Sequence, residues 1–177
     1  MPQILAEFAS DLTKTIGQTA ILQAMLHRVA AVVRDDCTPD AAFLMMPAYE
    51  NLQLISASPQ AAQPNDADLQ AADRAWRFAA RQETTAPGWA GSRFVFHPLV
   101  QAGTVIAVIG HRALSDTLQD LHFREQTVQA IFHQGLMALD RTSLAAKAET
   151  ARYLTTRGAK RSAFGNRGRN RPDGTPC

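Results

Sequence analysis

A chain of 177 residues, 46% hydrophobic and 7% aromatic, suits one globular domain with extensions. It has no apolar run near the ~18–20 residues of a membrane span, and its start, MPQILAEFASDLTK, lacks the basic-then-apolar order of a secretory signal, so the expectation is a cytoplasmic protein. The net charge of +2 is unevenly held: residues 157–177 carry six basic groups against one acid, a net of +5, which leaves −3 on the remainder.

Ile4, Leu5, Phe8, Leu12 and Ile16 recur at helical spacing and predict an amphipathic helix over about 3–16, within an N-terminal segment 1–17 that Gly17 closes. Thr19 is placed to cap a second helix with Leu22, Met25, Val29, Val32 and Val33 on its apolar face, running to about Arg34. The run Cys37-Thr38-Pro39-Asp40 forces a turn. Ala41 to Met46, bounded by Pro39 and Pro47, reads as a buried strand, with helix as the alternative. Tyr49-Glu50-Asn51 reverses the chain into a partner strand, Leu52 to Ser56, and a polar loop follows from Ser58 to Pro64.

Asn65 or Asp66 caps a third helix, with Asp66 and Asp68 in the first turn, where the helix dipole favours acids. Leu69, Ala72, Trp76, Ala79 and Ala80 are predicted to share its inner face, and Arg74, Arg77 and Arg81 its outer one. Trp76 reads as a core anchor, with ligand stacking as the second role. A loop from Thr84 to Ser92 leads into FVFHPLVQAGTVIAVIG, residues 94–110: two β-rich runs around a turn that holds Gly103. The second run, Val105 to Ile109, is apolar on both faces, as a central strand is. Pro98 has no N–H to donate, so its strand must end there, bulge there or lie at an edge.

Ser115, Asp116 and Thr117 offer caps for a long helix from about Leu118 to Thr155, assigned to segment 117–156. Its first part carries Leu118, Leu121, Val128, Ile131, Phe132, Leu136 and Leu139. Val128, Phe132, Gly135 and Leu139 also fit a repeat of about 3.5 residues and form the candidate seam of a parallel homodimer. The tail 157–177, rich in Gly and Arg, is expected to stay disordered.

Taken together, the order of elements implies an α+β fold: residues 18–116 build a central antiparallel sheet, with the N- and C-terminal helices on one face and one helix and loops on the other. Such a second face is where a small pocket is expected, and Trp76, Phe96 and His97 are the candidate ligand-pocket residues. Little else suggests chemistry. His122 and His133 fall near one helical face but about 16 Å apart, and His97 and His111 can approach each other without a Cys or carboxylate to complete a metal set. There is no G-x-S-x-G turn for a nucleophile, Gly88-Trp89-Ala90-Gly91 is too sparse to cradle phosphate, and Cys37 and Cys177 fit no metal or redox spacing. No metal, catalytic residue or cofactor is expected.

The run FVFHPLVQAGTVIAVIGHR in this order of elements resembles a GAF domain, and in particular the GAF-type domain of KdpD-like sensor histidine kinases, the bacterial potassium and turgor sensors. Ala67 to Trp76 resembles that family's Ala/Asp/Trp helix, Pro98-Leu99 its strand end and Val105 to Gly110 its next strand. Leu139-Asp140-Arg141 followed by Ala145 to Arg152 resembles its exit helix, so the likeness covers about residues 4–155. Four departures count. The Thr84–Ser92 loop is shorter than the family's, neither a Ser-His-Asp-Leu-Arg phosphoacceptor stretch nor ATP-binding glycine boxes follow, and no membrane helices precede the domain. The resemblance therefore implies an isolated or truncated sensory module without catalysis of its own. Its partners would be a second copy, an unknown small-molecule ligand and the kinase domain of the parent protein, and its output would leave through the long helix. Two rivals stand beside it. One is a nucleic-acid-associated protein working through Arg167, Arg169 and Arg171. The other is a methionine-sulfoxide reductase of the GAF fold, which would need a cysteine near Cys37.

Overall fold

The structure, a computed structural model, describes Leu5, Phe8 and residues 17–33, 42–81, 92–113 and 118–165, with the side chains of the last stretch described for 121–153. Seven elements follow in order: α1 (Gln18–Val33), β1 (Ala42–Ala48), β2 (Asn51–Ser58), α2 (Asp66–Phe78), β3 (Phe94–Gln101), β4 (Thr104–Arg112) and α3 (Leu118–Gly165). The predicted helix over 3–16 falls outside this description except at Leu5 and Phe8, both helical. The end of the second helix at Arg34, the turn at 37–40, most of the 84–92 loop and the caps Ser115, Asp116 and Thr117 also lie outside the described residues.

The chain divides into two compact units, residues 1–140 and 141–177. In the first, four antiparallel strands form one sheet in the order β2-β1-β4-β3. β4 lies inside the sheet and is buried along most of its length, as its two-sided apolar run requires. β3 lies at an edge, which is where a strand can hold Pro98 without losing a ladder bond. The turn between them is only Ala102 and Gly103, both at positive φ (50° and 79°). Positive φ at both central positions suits the right-handed twist of a two-residue hairpin. Ile106 is the odd residue in the β3–β4 ladder, since Val100 pairs with Val105 but Leu99 with Ala107. Ile55 is the odd residue in the β1–β2 ladder, where Leu44 pairs with Ser56 but Met45 with Leu54.

Alternation along the strands sorts two cores. Ala42, Leu44, Leu99, Ala107 and Ile109 meet Ile21, Leu22, Met25, Leu26 and Val29 of α1 and Val128, Ile131, Phe132 and Leu139 of α3. Phe43, Met45, Phe96, Val105 and Val108 point the other way, onto Ala71, Ala72 and Ala75 of α2. This is the α+β arrangement expected, with the terminal helices on one face and the middle helix on the other.

Several expectations are corrected. α1 begins at Gln18, with Gly17 (φ 104°) accepting the bond from the Ile21 N–H, so Thr19 lies within the helix and does not cap it. The inner face of α2 is Asp68, Ala71, Ala72 and Ala75. Leu69 is 42% exposed, Ala79 is the left-handed C-cap and Ala80 is exposed. The four residues read as a dimer seam are buried in their own domain: Val128 is 1% exposed, Phe132 5% and Leu139 2%. A Cβ at Gly135 would run into the Met25 side chain, so α1 and α3 meet closely there. Surface already removed from water in this way offers nothing to a second chain.

In the second unit α3 continues through Gly158 to Gly165, past the predicted end at Thr155 and into the tail expected to be disordered. One glycine costs a helix only about 1 kcal/mol. Leu144 and Tyr153 are about two-thirds exposed (65% and 64%). The remainder of the tail, with Arg167, Arg169 and Arg171, lies outside the described residues.

Candidate functional site

α2 is fixed at both ends by polar contacts. At its start the Asn65 side chain accepts from the Asp68 N–H (2.9 Å) and Asp68 Oδ2 accepts from the Asn65 N–H (3.0 Å), a reciprocal box that satisfies two otherwise orphaned donors. The other oxygen of Asp68, a residue only 2% exposed, accepts from Ser92 Oγ at 2.7 Å, and Ser92 Oγ accepts from the Phe94 N–H at 3.1 Å. One buried carboxylate thus ties the start of α2 to the start of β3. At the other end Arg77 donates to Asp73 Oδ2 (2.7 Å) and to the Glu50 carbonyl in the β1–β2 turn (3.2 Å). Its guanidinium lies 5.1 Å from the Trp76 ring centre.

Between these anchors the three alanines let the helix backbone approach the sheet closely, and side chains fill the second face. Phe43, Phe94 and Phe96 stack in a tilted row, with centroids 4.9 Å and 6.3 Å apart. Gly110, opposite Phe96 in the ladder, has no Cβ, and the Phe96 ring occupies the space a Cβ would need. Among the described residues, an opening on this side lies at the sheet margin. It is a groove of about 530 Å³ lined by Asn51 and Leu52 of β2 and Leu69, Gln70, Asp73 and Arg74 of α2. Its lining combines two leucines with two amides, a carboxylate and a guanidinium, a set suited to a small molecule with both apolar and charged parts.

Of the predicted pocket residues, Trp76 and Phe96 belong to the α2-side core, Trp76 at its border. His97, one position along β3, points to the opposite face and rests 4.9 Å from the Phe132 ring of α3. The structure therefore does not bring the three together, and none of them lines the groove.

His97 instead meets His111 across the hairpin. Both are buried (5% and 4% exposed), their rings stack at 16° with centroids 5.0 Å apart, and the two Nε2 atoms lie 3.0 Å apart. His111 Nδ1 sits 2.8 Å from the Arg112 carbonyl, which fixes Nδ1–H as donor, so His111 Nε2 accepts the proton that His97 Nε2 donates. Burial pushes both imidazoles well below their ordinary range. For His111 burial outweighs the Arg112 carbonyl bond and the pull of Glu125, and Arg81 adds to the lowering, leaving it at about 4. His97 is held lower by burial first, then by His111 and Arg81. The pair is neutral at pH 7, well away from the range of a general base. Among the described residues no three His, Cys, Asp or Glu side chains are grouped to hold a metal.

Sequence reasoning missed the groove. Its signal was the stripe Asp68, Ala71, Ala72, Ala75 at helical spacing, which turns Leu69 and Asp73 outward.

No family model matches the chain, and no curated protein matches it. Solved structures do. The native GAF domain of the potassium sensor histidine kinase KdpD from Escherichia coli superposes with a TM-score of 0.61 at 15% identity, over 84% of this chain and 99% of that one. The GAF domain of an Acinetobacter phosphoenolpyruvate-protein phosphotransferase gives 0.54 at 10% identity, over 80% and 93%. A segment of a methyl-accepting chemotaxis protein gives 0.54 at 15%, over 80% and 99%. At such identities the likeness is one of fold.

Proposed function

We propose, on the premise of this GAF-type fold, that the chain is a cytoplasmic sensory module of a KdpD-type two-component kinase. It performs no chemistry of its own and passes its state to a kinase domain through α3. The observation that carries the reading is the double role of α3. Its first half supplies Val128, Ile131, Phe132 and Leu139 to the core, so any rearrangement of that core moves the helix that leads on toward Gly165. The margin groove is the candidate place for a small ligand. A second copy would meet α3 on its outer side, where Phe123 and Met137 are 50% and 44% exposed and stand fourteen residues, two heptads, apart.

Grafting this chain in place of the GAF segment of the E. coli potassium sensor tests the reading. Potassium-dependent kinase activity is expected to return with the graft and to be lost with Met137→Glu. A folded graft whose kinase ignores potassium would sink the KdpD-type assignment. Sedimentation of the isolated chain, with and without Met137→Glu, tests the dimer separately.

A further inference from the structure

The His97–His111 pair plays no part in that reading, yet it is held from several sides. Two imidazoles from adjacent strands are stacked beneath α3, with Phe132 against one ring. One hydrogen bond joins them and a carbonyl fixes the tautomer. The groups acting on them can be named for each element. β4 offers the Arg112 carbonyl, the segment after α2 offers Arg81, and α3 offers Glu125. Arg81 and Glu125 are themselves ion-paired, a side-chain bridge from that segment to α3. A proton on His111 Nε2 takes the lone pair that accepts from His97, and a proton on His97 leaves that bond in place but adds a charge to a ring only 5% exposed. Either proton also puts a second cation beside Arg81, and the Glu125 carboxylate is already engaged with Arg81.

We propose that His97 and His111 form a proton-operated latch on α3, closed while both rings are neutral and released when either is protonated, so that acid loosens α3 over residues 121–132 from the hairpin before the domain as a whole unfolds. The sign follows from burial. A freed histidine takes its proton near pH 6.5, whereas in the closed state His111 does so only near 4 and His97 lower still. Between those limits the open state binds a proton that the closed state refuses. The opening constant should therefore rise about tenfold per pH unit for each histidine freed.

Hydrogen exchange of the full chain from pH 7.5 to 4.5, converted to opening constants by removing the intrinsic chemical rate, reads this directly. The amides of residues 121–132 are expected to open about fivefold more from pH 6.5 to 5.5 if one histidine is freed and about thirtyfold more if both are, and at every acid pH to open more readily than those of α1. The slope should vanish in the double variant His97→Gln/His111→Gln and survive in Glu125→Gln. A flat profile, one shared opening constant for α1 and α3, a slope that persists in the double variant, or its loss in Glu125→Gln would each overturn the latch. Should the double variant not fold, imidazole resonances of the unmodified protein decide. Both rings neutral to below pH 5 in the closed state supports the latch, and titration of either near 6.5 overturns it. Its use as a signal rests on the reading of α3 given above. The opening is measured on the chain alone, so a failed graft and a failed latch are separate results.

Discussion

The two faces of the sheet are closed by opposite means. On one, α1 and α3 press large aliphatic side chains into the strands, and Ile21, Leu22, Met25, Leu26 and Ile131 are wholly buried. On the other, the fully buried apolar side chains of α2 are Ala71, Ala72 and Ala75, with Trp76 at the border, and most of the bulk comes from the sheet as Phe43, Met45 and Phe96. The first face draws its stability from buried volume, the second from closeness of approach. Deleting atoms should injure one, and adding them the other.

The largest effect expected is from Ile131→Ala. Removing a fully buried branched side chain from the thick core should cost about 2–5 kcal/mol, visible as a lowered urea midpoint at unchanged slope. Acidification comes next and acts on the thick face through its buried imidazoles. Because the folded protein holds His111 near 4 against about 6.5 unfolded, its contribution is complete above pH 6.5 and falls away as pH drops toward 4. At 1.36 kcal/mol per unit His111 alone accounts for roughly 3 kcal/mol, and denaturant melts at pH 7 and pH 4.5 would measure its share together with that of His97. On the thin face, Ala72→Leu should cost about 1–3 kcal/mol by forcing α2 off the sheet. The contrast between the faces fails if Ala72→Leu is tolerated better than Ala72→Gly. The smallest effect, about 1 kcal/mol, is expected for Asn65→Ala, which removes half of the capping box but leaves Asp68 bound to Ser92.

What could be read from the sequence follows the same division. The strands, the 94–110 hairpin, the cap at Asn65 and the aliphatic face of α3 were legible because alternation, turn residues and helical spacing are local signals. The inner face of α2 was not. Alanine carries little hydropathy, so Ala71 and Ala75 gave way in the reading to Leu69 and Trp76. The dimer seam failed for another reason. Val128, Phe132, Gly135 and Leu139 fit a 3.5-residue repeat and a 3.6-residue face equally well over so few turns, and only the tertiary contact with Met25 separates them. For the candidate site, the approach of His97 to His111 followed from the hairpin. The groove needed β2 and α2 placed side by side, which no local pattern records.

The sheet's two outer strands also differ, and this bears on how copies of the molecule could associate. β3 is interrupted by Pro98, whereas β2 runs for eight residues, NLQLISAS, without a proline or a charge. Among the described residues, then, backbone-to-backbone recruitment has one receptive margin and one that refuses a full ladder. Growth by strand addition would stop at a closed pair, because the next copy finds no second margin free of proline. The placement of a single imino acid thus separates a finite assembly from an endless fibre.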